Sequence, residues 1–157
     1  LDTGTEFLLT HLPETISGKV LDFGCGSGVI GSYVAKKFSK TNVDMVDSSM
    51  LAVESAQETT TINALTNTRV FASDIFSNVT DRYDLIISNP PFHDGIKTTY
   101  DTTHTFFKEA PRFLNPGGKV LVVANTFLPY QKVLTESFGN CRTVAENGQF
   151  KILESIR

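Results

Sequence analysis

The residues of this chain best suited to chemistry are four consecutive ones, Asn89, Pro90, Pro91 and Phe92. Two successive prolines hold the backbone extended and remove two N–H donors, so the Pro90 carbonyl is able to project from the chain. With the amide oxygen of Asn89 it offers two acceptors for the two protons of a planar amine. Such bonding favours a pyramidal nitrogen whose lone pair points at an electrophile. The Phe92 ring supplies a face on which a planar substrate stacks.

A second set of polar residues follows the predicted strands, and in an open α/β sheet ligands bind outside the carboxyl ends of the strands. This set is Asp22, Asp47, Asp74, Asn89 and Asn125. Asp47 is placed to accept hydrogen bonds from two ribose hydroxyls, as a carboxylate does with its two oxygens. Asp74 could accept from an adenine amino group while Ile75 offers an apolar face to the ring. Asn125 has no comparable support and is interpreted as structural.

Glycines punctuate the segment Asp22-Phe-Gly-Cys-Gly-Ser-Gly28, which follows a short apolar run and precedes a helical pattern. Strand, glycine turn and helix form the first half of a nucleotide-binding βαβ unit, in which the N–H groups at the helix start face the ligand. Two interpretations stay open. Gly26-Ser-Gly-Val-Ile-Gly31 matches a dinucleotide fingerprint, with Asp47 about 20 residues further on. The Asp22 carboxylate, however, would repel a pyrophosphate and suits a ligand with a cationic end.

The hydrophobic pattern distributes these residues over alternating strands and helices. A short helix is expected from a Thr3-Gly-Thr-Glu6 capping box to about Pro13. Strands are expected at 19–23, 42–46, 69–73, 83–88 and 119–125, and helices at 28–38, 50–63, 104–114 and 129–138. Ser48 or Ser49 would cap the 50–63 helix, whose expected inward-facing residues are Leu51, Ala52, Ala56 and Ile62. Pro111 is expected to kink or end its helix. Residues 93–102 are a candidate mobile loop, and a turn is expected at Asn115–Gly118.

The end of the chain changes character, because residues 141–145 and 149–155 alternate apolar and polar residues around Asn147-Gly148. An Asn-Gly pair between two such segments is typical of a β-hairpin. The predicted fold class is therefore α/β and Rossmann-like. It consists of a mostly parallel seven-stranded sheet with a C-terminal antiparallel hairpin and helices on both faces.

The composition limits the class of protein. The 157 residues, 40% of them hydrophobic and 20% charged, suit one globular domain over 1–157, and no run of about 18 apolar residues suggests a membrane span. A net charge of −3 argues against gripping nucleic acid by bulk electrostatics, and Lys36, Lys37 and Lys40 are interpreted as a solvated helix end. Two cysteines make no disulfide framework, which favours the cytoplasm. No metal is expected, because His11, His93 and His104 lack ligand spacing.

The motifs also carry a family resemblance. Asp22–Gly28 resembles the D-x-G-x-G-x-G motif of class I S-adenosylmethionine-dependent methyltransferases. Asn89–Phe92 resembles the D/N-P-P-F/Y motif of enzymes that methylate adenine N6, cytosine N4, guanine N2 or glutamine nitrogen. With Leu1-Asp-Thr-Gly-Thr5, Leu114–Gly118 and Ala124–Tyr130, nearly the whole chain closely resembles the catalytic half of the bacterial small-subunit ribosomal RNA guanine-N2 methyltransferase C family.

This resemblance implies S-adenosylmethionine as cofactor and a guanine N2 of 16S ribosomal RNA, within the assembled small subunit, as methyl acceptor. It also implies a missing N-terminal half, in line with a chain that begins at Leu1 without an initiator methionine. The predicted catalytic residues are Asn89, Pro90, Pro91 and Phe92. The predicted cofactor-binding residues are Asp22, Phe23, Gly24, Cys25, Gly26, Gly28, Asp47, Ser48, Asp74, Ile75 and Asn89. His93 and Asp94 fit the family's loop without an assigned role.

Three alternatives remain at this point. The acceptor could be adenine N6 or a protein glutamine, since the Asn89–Phe92 motif does not separate these amines. The chain could be a cofactor-binding module without catalysis that places a partner on the ribosome, although the intact motif argues against this. It could also be a dinucleotide-dependent oxidoreductase, as the glycine spacing allows. The sequence does not identify the target nucleotide.

Overall fold

The computed structural model describes residues 2–90 and 97–157, with the side chains of 2–90 and 101–157. The strands are β1 (Gly18–Phe23), β2 (Thr41–Asp47), β3 (Thr68–Ala72), β4 (Tyr83–Ser88), β5 (Leu114–Asn125), β6 (Arg142–Glu146) and β7 (Phe150–Ile156). The helices are α1 (Thr3–Thr10), α2 (Val29–Lys37), α3 (Met50–Ile62), α4 (Lys97–Glu109) and α5 (Tyr130–Phe138), with a 3-10 turn at Ala110–Phe113. None of the helices described in these two ranges is long and apolar enough to cross a bilayer.

All seven strands form one sheet in the order β3-β2-β1-β4-β5-β7-β6. The first five strands are parallel, and β7 pairs antiparallel with both β5 and β6. The predicted fold class is therefore confirmed, including the reversed hairpin at the end. Because β1 lies between β2 and β4, the strand order changes direction at β1, and this change opens a crevice at the carboxyl edge.

The core consists of two layers, one on each face of the sheet. Successive residues of a strand point to opposite faces, so Leu85 and Ile87 of β4 pack in one layer while Ile86 packs in the other. The first layer lies under α1, α2 and α3, and the second contains Phe106 and Phe107 of α4 and residues of α5 such as Leu134. Both faces of the central parallel strands β1, β4 and β5 are thus buried, as their continuous apolar runs require.

The first helix begins one residue earlier in its cap than the sequence predicts. Asp2 is the N-cap, and its Oδ1 accepts a hydrogen bond from the Thr5 backbone N–H at 3.0 Å. The predicted Thr3 lies inside the helix instead. Asp is among the best N-cap residues, so two good caps in adjacent positions made the local pattern ambiguous.

The inward face of α3 also differs from the prediction. Ser49 caps the helix as expected, and Ala56 is buried. Leu51 and Ile62, however, are 79% and 75% exposed, and the buried positions around Ala56 are Val53 and Thr60. These residues share one face at helical spacing, so the surface of β2 and β3, rather than the largest apolar side chains, selects the buried face.

Prolines and glycines act largely as expected in the second half of the chain. Pro111 ends α4 at Glu109 and lies in the 3-10 turn, which is one of the two predicted outcomes. Gly139 caps α5 in the left-handed conformation. Residues 97–102 belong to α4, so the predicted loop 93–102 is wrong there, and 93–96 lie outside the described residues. Residues 115–118 form an irregularity inside β5 rather than a turn before it.

A polar network centred on the buried Asp44 lies at the edge of the sheet opposite the crevice. The Asp44 carboxylate accepts two bonds from the Arg69 guanidinium, at 2.9 and 2.7 Å, and one from the Tyr83 hydroxyl at 2.6 Å. Arg69 also bonds to Asp81, which pairs with Lys19. Burial and the neighbouring Asp44 carboxylate raise the pKa of Tyr83 well above its ordinary value, so the hydroxyl stays a donor. Asp44 is thus satisfied although it is buried.

Replacing Tyr83 by Phe should lower the free energy of unfolding by about 1.5–3 kcal/mol, the usual contribution of a hydrogen bond to a charged group. Urea denaturation measures this change. Tyr33→Phe is the matched control, because Tyr33 is 39% exposed and its hydroxyl accepts a long bond from Lys37, at 3.5 Å. Equal losses in the two variants would show that the Tyr83–Asp44 bond contributes nothing specific.

Candidate functional site

Two adjoining clefts occupy the carboxyl edge of the sheet, where the strand order reverses. The Asp47 cleft, of about 320 Å³, is lined by Phe23, Gly24, Gly26, Val46, Asp47, Ser48, Ser73, Asp74, Ile75, Asn89 and Thr102. The Thr5 cleft, of about 530 Å³, is lined by Asp2, Thr5, Gly24, Cys25, Gly26, Ser27, Val29, Ile30 and Asn89. The two clefts meet at Gly24, Gly26 and Asn89, so an elongated ligand could occupy both.

The glycine turn after β1 forms the floor shared by the two clefts. Gly24 and Gly26 have φ values of 67° and 53°, a region that favours glycine. A Cβ added at either residue would meet no atom of the described residues within 4 Å. The protein therefore leaves open space directly against this backbone, as a bound ligand requires. Cys25, between the two glycines, is buried, and this burial raises the pKa of its thiol far above the ordinary value, which makes it a poor nucleophile.

Asp47 connects the glycine turn to the end of β2. Its Oδ2 accepts a hydrogen bond from the Gly26 N–H at 3.0 Å, and its Oδ1 accepts one from the Ser49 N–H at 2.9 Å. A carboxylate has about four acceptor positions, so each oxygen retains capacity for a ligand donor. Asp47 thus shapes the cleft and lines it, which supports the prediction that it bonds to two hydroxyls.

Asp22 occupies a different position from the one its motif suggests. The residue is 1% exposed, and it lines neither cleft. Its Oδ2 accepts from the Gly31 N–H at 2.8 Å, whereas its buried Oδ1 has no partner in the part of the chain that the structure describes. Burial, the dominant cause, and the nearby Asp47 charge raise its pKa from 3.8 to about 7, and the Gly31 bond only partly offsets them. Asp22 therefore connects the end of β1 to the first turn of α2, and its predicted contact with a ligand stays a prediction.

The far end of the Asp47 cleft is formed by the loop after β3. Asp74 is exposed there, next to Ile75, whose φ is +53°. A β-branched residue in the left-handed region is strained, and such strain is often found at ligand sites. The Ser73 hydroxyl donates to the Ile75 carbonyl at 2.8 Å and accepts from the Asn78 N–H at 3.1 Å, which holds the strained residue in place. Ile75 thus presents an apolar side chain to the cleft.

Asn89, directly after β4, is held by the start of α1. Its amide nitrogen donates to Asp2 Oδ1 at 3.2 Å and to Thr5 Oγ1 at 2.9 Å. Pro90 is buried, and the role predicted for its carbonyl stays a prediction. Pro91, Phe92, His93 and Asp94 lie outside the described residues.

The structure brings most of the predicted cofactor-binding residues together at these clefts. The exceptions are Asp22, described above, and Gly28, which is the N-cap of α2 and lines neither cleft. The polar lining residues Asp2, Thr5, Ser27, Ser73 and Thr102, and the apolar Val29, Ile30 and Val46, were not predicted from the sequence. Asp2 and Thr5 belong to the Leu1–Thr5 segment that carried part of the family resemblance, so a clue to their importance was available. Nothing in the local pattern indicated Thr102.

The charges of the clefts favour one kind of ligand. Among the residues that the structure describes, no Lys, Arg or His lines either cleft, whereas Asp2, Asp47 and Asp74 do. A pyrophosphate would meet like charge here, but a nucleoside with a cationic end would not. Within the described side chains, no cluster of three or more His, Cys, Asp or Glu could hold a metal ion. The clefts therefore suit an uncharged or cationic nucleoside-like ligand.

Comparisons with known proteins agree on a family. The family model described as "Methyltransferase small domain" matches residues 1–154. The chain is 47% identical over 152 residues to the ribosomal RNA small subunit methyltransferase C of Haemophilus influenzae (strain PittGG), covering 97% of this chain and 46% of that protein. The corresponding protein of Salmonella arizonae is 45% identical over 156 residues, with coverages of 99% and 45%.

A solved structure supports the same relationship. The T. thermophilus 16S rRNA N2 G1207 methyltransferase, in complex with AdoMet and guanosine, superposes with a TM-score of 0.90 at 31% identity. It covers 100% of this chain, which in turn covers 43% of that structure. The chain thus spans about half the length of the relatives it matches.

The buried Asp22 predicts an unusual dependence of stability on pH. Because its pKa is about 7 in the folded chain and ordinarily 3.8, the folded state binds more protons than the unfolded state between these values. The free energy of unfolding should therefore fall as pH rises from about 4 to about 7, by up to about 1.4 kcal/mol per pH unit, and stay level above that range.

Urea denaturation of the ligand-free chain at pH 5 and pH 8 tests this dependence. Asp22→Asn removes the ionisable group and keeps the shape of the side chain. The free energy of unfolding of this variant, minus that of wild type, should therefore be larger at pH 8 than at pH 5. A stability difference between the two proteins that is the same at both pH values would contradict the proposed burial of a titrating carboxyl.

Proposed function

The chain belongs to the methyltransferase small-domain family, and on this premise we propose that it methylates the exocyclic N2 amino group of a guanine in 16S ribosomal RNA, with S-adenosylmethionine as methyl donor. The proposed activity is that of the whole protein. This chain spans about half the length of the curated relatives that it matches. The prediction that it is the C-terminal, catalytic half rests on the family resemblance. The dinucleotide alternative is abandoned, because family and hairpin topology both favour a methyltransferase.

The position of Asn89 is the observation that carries the proposal. It lines both clefts, at the point where they meet the glycine turn. An amine that bonds to its side chain would therefore lie beside any ligand that extends from one cleft into the other. Holding two reactants in contact in this way is a large part of what an enzyme contributes to a transfer between them.

The clefts fit S-adenosylmethionine in shape and charge. Asp47 has free acceptor positions for the ribose hydroxyls, and Ile75 offers an apolar surface to the adenine ring. The absence of cationic side chains among the described lining residues suits a cofactor without phosphates, whose amino acid end carries an ammonium. When bound, this cofactor supplies a methyl group on a positively charged sulfur.

The chain's own residues prepare the acceptor. The Asn89 amide oxygen accepts a hydrogen bond from one N–H group of the guanine amine, and the Pro90 carbonyl is proposed to accept a hydrogen bond from the other. Both bonds draw the nitrogen lone pair out of conjugation with the ring and direct it towards the cofactor side. Phe92, outside the described residues, is proposed to stack on the base, which must first be unstacked from the folded RNA.

The small ribosomal subunit is the proposed partner, and the bacterial cytoplasm is therefore the proposed place of action. The relatives that are 47% and 45% identical to this chain are small-subunit ribosomal RNA methyltransferases by name. With a net charge of −3, this chain is poorly suited to hold RNA by itself. We propose that the remaining part of the longer protein supplies much of the affinity for the ribosomal subunit.

Incubation of the whole protein with S-adenosylmethionine that carries a labelled methyl group identifies the methyl acceptor. Small subunits that lack the modification, free 16S RNA, DNA and a protein release factor are offered in parallel, and the products are hydrolysed and separated. Label in N2-methylguanosine from the small subunit is the expected result. Label in N6-methyladenine or methylglutamine would assign a different amine, and absence of label in every arm would favour the module without catalysis.

Asn89→Ala should lower the turnover number by about 100-fold or more, the usual effect of removing one preorganised polar contact to the reacting group. Affinity for S-adenosylhomocysteine, measured by calorimetry, should remain near that of wild type. Asn125→Ala is the matched control, since Asn125 ends the neighbouring strand β5 at the same edge and lines neither cleft. Near-normal turnover of Asn89→Ala would remove the amine-activation argument.

A further inference from the structure

The start of α1 makes a contact with the candidate acceptor residue that the proposed function does not itself require. Asp2 and Thr5 are more than 80 positions away from Asn89 in the chain, yet both bond to its side chain. Both bonds use the amide nitrogen and therefore occupy its two N–H groups. Among the residues whose side chains the structure describes, no donor bonds to the Asn89 amide oxygen.

The orientation of this amide decides what Asn89 can do. The two ends of an asparagine side chain have nearly the same shape, but one accepts hydrogen bonds and the other only donates them. An amine that is to be activated needs an acceptor, so an amide turned by 180° would present the wrong group. An ionised carboxylate only accepts, and Asp2 Oδ1 can therefore face only the nitrogen of Asn89.

Local geometry holds Asp2 in place for this contact. The same Oδ1 accepts from the Thr5 N–H, so the bond that caps α1 also fixes the oxygen that faces Asn89. Gly4 allows the close approach. A Cβ at this residue would lie 3.1 Å from Asp2 Oδ1, 3.2 Å from the Phe150 ring and 3.5 Å from the Asn89 amide nitrogen. These distances leave almost no room for a larger residue at this position.

We propose that Asp2 and Thr5 are positioning residues, which hold the Asn89 amide with its oxygen towards the acceptor amine. This role rests on the proposed function, because it concerns the same amine and the same Asn89 oxygen. Since Asp2 and Thr5 also line the Thr5 cleft, a direct contact with the cofactor is the competing role. The two roles differ in what they change: orientation of Asn89 affects turnover, whereas a cofactor contact affects cofactor affinity.

Thr5 offers the simplest test, because its hydroxyl can be removed without changing its shape or the helix cap. Thr5→Val should lower the turnover number about tenfold, corresponding to loss of roughly 1.4 kcal/mol of transition-state stabilisation. Thr5→Ser keeps a hydroxyl and should restore turnover. The dissociation constant for S-adenosylhomocysteine and the thermal midpoint should stay near wild type in both. A weaker dissociation constant with unchanged turnover would overturn the proposal and assign Thr5 to the cofactor.

Asp2 supplies a second, independent pair should Thr5→Val fold poorly. Asp2→Gly removes the carboxylate, and glycine at an N-cap costs the helix only a few tenths of a kcal/mol. Asp2→Asn keeps an oxygen at the same place, because the Thr5 N–H requires an acceptor there. Turnover should therefore fall about tenfold in the first variant and stay near wild type in the second. Equal turnover in both variants would overturn the proposal.

Combining Asp2→Gly with Asn89→Asp distinguishes positioning from general stabilisation. A carboxylate at position 89 has two equivalent acceptor oxygens, so its orientation does not matter. Asp2 Oδ1 now lies 3.2 Å from the side-chain nitrogen of Asn89, and at a similar distance it would repel a carboxylate at this position. Asp2→Gly should then raise turnover in the Asn89→Asp background although it lowers turnover in the wild-type background. The same loss in both backgrounds would overturn the positioning role.

The outcome also separates this proposal from the proposed function. If wild type places label in another amine, such as that of adenine, the assigned acceptor is wrong, but the comparison of Thr5→Val with Thr5→Ser still tests the orientation of Asn89. If wild type methylates guanine N2 and both Asp2→Gly and Thr5→Val keep full turnover, the function stands and the positioning role is wrong.

Discussion

The reversal of strand order at β1 is the constraint on which the rest of this structure depends. The chain passes from β1 to β2 and β3 on one side and then returns to β4 on the other. The loops that follow β1 and β4 therefore diverge at the carboxyl edge and leave a crevice between them. Gly24 and Gly26 reach this crevice from β1, and Asn89 reaches it from β4. Without the reversal, the glycine turn and Asn89 would not face a common space.

Carboxylates perform two different tasks around this crevice. Asp47 faces the cleft; its bond from the Gly26 N–H keeps the glycine turn close to β2, and its bond from the Ser49 N–H lies at the start of α3. Asp22 is buried at the end of β1 and accepts from the Gly31 N–H of α2; burial raises its pKa to about 7, and its Oδ1 has no partner among the described residues. Asp47 is therefore available to a ligand, whereas Asp22 is buried and connects β1 to α2. A phosphate-binding site of similar topology would have the opposite charge preference.

The start of α1 connects local structure to chemistry. The bond between Asp2 and the Thr5 N–H is an ordinary helix cap, of a kind that stabilises many helices by about 1 kcal/mol. Here the same oxygen also faces Asn89, and Gly4 makes the approach close enough for a hydrogen bond. The proposed positioning role would give this ordinary helix cap a second task. It would also give a reason for the part that Leu1–Thr5 plays in the family resemblance.

The sequence by itself determined the features that depend on local backbone constraints. Asn147-Gly148 indicated the hairpin, Gly139 the end of α5 and Pro111 the end of α4, because each residue restricts φ or hydrogen bonding where it stands. The motif residues also identified most of the clefts' lining. Only the tertiary structure decided which face of α3 is buried, where the Asp22 carboxylate lies and what Asp2 and Thr5 contact. These depend on surfaces that meet across the fold between residues far apart in the chain, and no local pattern encodes such contacts.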